Sequence, residues 1–104
     1  MLSKKYRLSR KEIGWIHKKG RRLGLEKISV KFAPNRLDFS RFAVNVPTSV
    51  YKKAVDRNRL RRIVYDEIGK IKMTAAKDFL INIYGQDSEK NIRQKTREIL
   101  SRIR

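Results

Sequence analysis

Between Lys53 and Ile71 the apolar residues Leu60, Ile63, Val64, Ile68 and Ile71 recur at helical spacing, and most of the residues between them are charged or polar. A segment patterned this way is stable as an amphipathic helix with one stripe laid on a core. Gly69 is expected to fray that helix or end it early. The rest of the chain must therefore supply a surface for the stripe.

Alternation supplies it. Lys27–Ala33 and Arg41–Val46 place polar and apolar residues at period two, rich in β-branched and aromatic types, and Asp78–Tyr84 is a compact run of the same kind. Such segments form half-buried strands. Residues Pro34 to Asp38 are expected to link the first two strands as a hairpin, and Arg22–Gly24 is a further short strand candidate. Ser9-Arg10-Lys11-Glu12 is a capping box with Leu8 and Ile13 placed as a hydrophobic staple, and Gly20 is a stop, which predicts a first helix over Arg10–Lys19. Asp87 or Ser88 can cap a last helix that buries Ile92, Ile99, Leu100 and Ile103. The expected order is α-β-β-β-α-β-α over a single domain, 1–104: an α+β two-layer sandwich with a small mixed four-stranded sheet. No repeat or low-complexity tract interrupts it.

Charge narrows the partners. Twenty-eight Lys and Arg against ten Asp and Glu give a formal charge of +18, which a polyanion would neutralise. Nucleic acid is favoured over a membrane surface, because the basic segments here flank core stripes and lack a lipid-facing apolar side. Without cysteine there is neither a disulfide nor a thiolate zinc site, which fits a reducing cytoplasm. The opening Met1–Arg7 lacks the apolar region of a signal peptide, and no run reaches the ~20 apolar residues of a spanning helix. A cytoplasmic protein is expected.

The densest signal is Lys52-Lys53-Ala54-Val55-Asp56-Arg57-Asn58-Arg59-Leu60-Arg61-Arg62, with six basic residues and one acid in eleven positions. At about 100° per residue, Asn58, Arg59, Arg61 and Arg62 lie away from the Leu60-Val64-Ile68 stripe and present guanidinium forks suited to phosphate. Arg57 falls close to the apolar stripe, so it should reach out from the first turn or fold over a neighbouring strand. Four arginines in six residues exceed what solubility requires.

This segment resembles the Ala-Val-x-Arg-Asn-Arg-x-Lys-Arg signature of bacterial ribonuclease P proteins, and the order of the other elements agrees over nearly the whole chain. Ser9–Gly20 is similar to the family's first helix with its Lys-Lys-Gly ending, Arg41–Val46 to its third strand and Asp78–Tyr84 to its last. The resemblance implies a subunit that is itself not catalytic, with a catalytic RNA that removes the 5′ leader of precursor tRNA using magnesium ions associated with the RNA. It implies that Lys52, Lys53, Arg57, Asn58, Arg59, Arg61 and Arg62 bind that RNA, and that a cleft between the first helix and the sheet holds the leader. It also implies a left-handed β-α-β crossover around the second helix, against the usual hand. Two aromatic positions of the family's cleft correspond to Ile13 and His17, and a cleft tyrosine to Lys31, so leader contact should rely less on stacking. The family's Ser-Lys-Lys and Gly-Asn are replaced by Pro47-Thr48-Ser49 and Tyr51-Lys52-Lys53 with one extra residue. Tyr65, where a further arginine is common, joins the cleft candidates.

Other residues carry less. His17 suits packing or the cleft edge better than chemistry, and Tyr65 is expected on the exposed side, stacked on Arg61. Trp15 lies off the Ile13–Ile16 stripe and is open to two readings, an RNA-stacking residue or a partly exposed surface aromatic. No paired carboxylates, phosphate loop, activated nucleophile or metal-ligand cluster stands out, so no catalytic or metal residue is expected; no obligate protein partner is inferred. The competing functions are a ribosomal or other structural RNA-binding protein, a small stand-alone endoribonuclease, and DNA binding.

Overall fold

The computed structural model describes residues 4–71 and 76–103, so the reading of the opening Met1–Ser3 lies outside the described residues. After a short 3-10 turn at Lys4–Tyr6 come α1 (Arg10–Lys19), β1 (Arg21–Leu25), β2 (Ile28–Pro34), β3 (Arg41–Asn45), α2 (Ala54–Gly69), β4 (Lys77–Ile83) and α3 (Glu89–Ser101). The expected element order is present.

α1 has the predicted bounds because both bonds of its capping box form: Glu12 N–H donates to Ser9 Oγ at 3.3 Å and Ser9 N–H to Glu12 Oε1 at 2.8 Å. Gly20 ends the helix for a reason other than a left-handed turn, since its φ is −71°. A Cβ there would stand 2.6 Å from the Ile16 carbonyl oxygen and 3.3 Å from Phe32 N, so the glycine lets helix and sheet touch.

The sheet runs β1-β2-β4-β3, antiparallel except for the parallel pair β3 and β4. This corrects the expected link: Pro34–Asp38 does not close a hairpin, because β4 lies between β2 and β3. The hairpin joins β1 to β2 instead, through Glu26 and Lys27, with Lys27 in the left-handed region at φ 71°. β4 suits the inner place, since Phe79, Leu80, Ile81 and Ile83 are all buried and the strand is covered on both faces. Its Asp78 also captures the connector: Asn35 Nδ2 donates to Asp78 Oδ1 at 2.8 Å and to the Phe39 carbonyl at 3.2 Å.

One face of the sheet carries the main core. Val30, Phe42, Phe79 and Ile81 pack beneath Leu60, Val64 and Ile68 of α2 and Ile92, Ile99 and Leu100 of α3. The other face bears a smaller cluster of Leu8, Ile16, Ala43 and Leu80, with Ile13 against it. Arg41 ties this second layer down. It grips Asp78 with two bonds, at 3.0 and 2.8 Å, and pairs with Glu12 of α1. The Asp78 bonds raise the arginine's pKa, and the Ser9 amide lowers that of Glu12. Among the described residues no helix is long and apolar enough to cross a membrane.

Candidate nucleic-acid interface

α2 sorts its basic residues by what holds them. Lys52 and Lys53 are exposed at its entrance. Arg57, expected either to reach out or to lie on a strand, folds back onto the preceding loop and donates to the carbonyls of Tyr51 (3.0 Å) and Lys52 (2.8 Å). It is therefore part of the scaffold that orients the first turn. Asn58 accepts from Arg61 Nη1 at 2.9 Å, one turn on, which fixes that guanidinium along the helix. Arg59 and Arg62 stay on the solvent side, beside an open depression of about 410 Å³ that they share with Asp66, Glu89 and Arg93.

That depression explains where the acids go. Arg93 of α3 reaches Asp66 at 2.9 Å, Glu67 at 3.1 Å and Glu89 at 3.2 Å, so one guanidinium joins α2 to α3. Bonding to Asp66 leads the causes that raise its pKa, and Arg93 in turn lowers those of Asp66 and Glu89. Glu67 is 1% exposed. Its Oε2 has no hydrogen bond among the described residues, with Arg97 Nε 3.7 Å away. Among the described residues only Glu89 reaches the arginine row, meeting Arg59 at 3.1 Å through side chains 65% and 43% exposed. Such an open pair yields readily to a phosphate.

The opposite face of the sheet holds a cleft of about 280 Å³, walled by Ile13 and His17 of α1 and floored by Ala43 and Leu80. Asn45 and Asn82 stand at its end, where they are register partners on β3 and β4, and Asn45 Nδ2 donates to Asn82 Oδ1 at 3.0 Å. Ile13 and His17 are thus brought together as the sequence suggested. Lys31 is beside them but outside the lining, with its Nζ closing the end of α1 on the His17 carbonyl at 2.7 Å. Tyr65 is corrected outright. It is 8% exposed, in the core on the α2 side of the sheet, away from the cleft and not open to the solvent. Burial pushes its hydroxyl up in pKa, and the hydroxyl bonds to the Val44 backbone. The missed residues are Asn45 and Asn82, whose only signal was their polar phase in otherwise apolar strands.

Among the described residues no group of three or more His, Asp or Glu side chains could hold a metal ion. What the molecule offers is an arginine helix on one side and an amide-lined cleft on the other, both suited to an RNA strand.

Known proteins resemble this chain throughout. The sequence profile of the family described as Ribonuclease P matches residues 2–104. The "Ribonuclease P protein component" of Borrelia turicatae is 36% identical over 87 residues, covering 80% of this chain and 75% of that one. The RNase P protein from Thermotoga maritima superposes with a TM-score of 0.83 at 27% identity, over 94% of this chain and 97% of that one. The RNase P protein of Staphylococcus aureus shares the fold, with a TM-score of 0.83 at 21% identity over 95% of each chain.

Proposed function

The chain belongs to the ribonuclease P protein family and is the protein subunit of that endoribonuclease, and from this premise we propose how it divides its work. The solvent side of α2 docks on the ribonuclease P RNA, with Arg59 and Arg62 clamping phosphates and Asn58 with Arg61 extending the row. Lys52 and Lys53 prolong the contact at the helix entrance. Arg57 acts through the loop it holds. The cleft between α1 and the sheet receives the single-stranded 5′ leader of precursor tRNA, where Asn45 and Asn82 offer amide groups and Ile13 and His17 an edge for packing.

The subunit itself is non-catalytic. Supporting this, among the described residues seven of the chain's ten acids are committed to ion pairs. Magnesium belongs with the RNA, and the protein raises cleavage by neutralising phosphates and holding the leader.

The observation that carries the proposal is the exposure of Asn58, Arg59 and Arg62 on a helix whose other side is locked into the core by Leu60, Val64 and Ile68. Reconstitution tests it. With a bacterial ribonuclease P RNA and a precursor tRNA at low magnesium, adding the protein should increase 5′ leader release, while protein without RNA should cut nothing. Robust metal-dependent cleavage by the RNA-free protein overturns the non-catalytic assignment.

A further inference from the structure

Trp15 has no part in either surface described above. It is 53% exposed, and it is the sole tryptophan of the chain. Its helix is rigidly seated: Ile16, its neighbour, is 0% exposed, the capping box holds one end and Gly20 lies against β2 at the other. The indole is therefore presented on a fixed element.

Its surroundings are selective. On a helix the neighbours of a residue lie three and four positions away. For Trp15 these are Lys11, Lys18 and Lys19, all exposed and without an ion pair or hydrogen bond among the described residues, together with Glu12. Glu12 is spent on Ser9 and Arg41. A single apolar side chain on a surface is ordinary. An indole framed by three unpaired cations, with its nearest carboxylate occupied, matches a flat aromatic group carried on a phosphate backbone.

We propose that Trp15 is the stacking platform for one unpaired nucleobase of an RNA strand, with Lys11, Lys18 and Lys19 holding the flanking phosphates. The site is distinct from the cleft, because Trp15 lies about 160° round the helix from both Ile13 and His17. It goes beyond the proposed division of work and needs only single-stranded RNA to be tested.

Emission from Trp15 reads the site directly. Titration with hexauridine and hexaadenosine should quench it by about half or more, while an abasic ribose-phosphate oligomer of equal charge should bind and leave it nearly unchanged. Trp15→Ala should weaken oligonucleotide binding about 5- to 100-fold, the span of one base–aromatic stack, and Trp15→Phe should keep most of it. The melting temperature of both variants should match the parent's. Unchanged emission at RNA saturation, equal quenching by the abasic oligomer, or wild-type binding by Trp15→Ala overturns the proposal. So does a blue shift with anionic phosphatidylglycerol vesicles in the absence of any response to RNA. Quenching by ribonuclease P RNA alone assigns the base to the catalytic RNA, and quenching that requires precursor tRNA assigns it to the substrate. A quench by oligonucleotides without stimulated leader release would keep this site and sink the subunit's proposed role, and the converse result would do the opposite.

Discussion

Arg57 and Arg62 are five positions apart on one helix and do different things, because one guanidinium is satisfied by backbone carbonyls and the other faces water. Replacing Arg62 or Arg59 by Ala should cost roughly 1.5 to 3 kcal/mol of RNA affinity where a charge-assisted contact is lost, with stability within about 0.5 kcal/mol. A filter assay at moderate salt with paired thermal melts checks both. Wild-type binding by both variants would remove α2 as the docking surface. Arg57→Ala should instead lower stability, by about 1 to 3 kcal/mol, since two carbonyls of the loop entering α2 lose a charged donor. The helical wheel left Arg57 unresolved because the partner is the preceding loop, which no periodicity describes. Tyr65 was misplaced for a related reason. The wheel sees only α2, whereas the contact with the Val44 backbone comes from the edge strand beside it.

At the scale of elements, Leu60→Ala should cost on the order of 2 to 5 kcal/mol through the cavity it leaves, and chemical denaturation would measure it. RNA binding should then weaken mainly through unfolding. The start of α3 predicts a pH effect. Asp87 precedes the Ser88 cap and accepts from Ser88 N, Asn91 Nδ2 and Lys95 Nζ; the lysine, the largest cause, helps bring its pKa from 3.8 to about 2. A carboxylate with a lowered native pKa stabilises the fold fully above its unfolded value and loses that contribution as pH falls through the native one. Melting temperature should therefore drop between about pH 4 and pH 2, and Asp87→Asn should flatten that limb relative to the parent. The existence of α1, α2, α3 and the three stronger strands was legible because each carries its own period, and α1 and α3 carry a serine cap as well. β1 was faint, since Arg21-Arg22-Leu23-Gly24-Leu25 has only two apolar side chains to announce it. The pairing was not legible, because alternation says which face a strand buries and not which strand lies beside it.

Across the whole molecule, acids are gathered where they hold elements together, as around Arg93 and Arg41, and this leaves the cationic surface broad. Binding to ribonuclease P RNA should accordingly weaken steeply with salt, with a slope of several units in log K against log salt, as expected when many phosphate contacts release counterions. A slope near one would mean that most of this surface is idle. The position of β4 has a consequence for how the protein comes into being. It is the last strand made and stands inside the sheet, between two strands that have no other contact with each other in the ladder. Synthesis runs from the amino end, so the arginine helix is complete while the chain still lacks the strand that unites its sheet. Until Ile83 has been added, β3 and the β1–β2 hairpin cannot be united in one hydrogen-bonded ladder, and the nascent protein is an unfinished cationic chain growing beside ribosomal RNA.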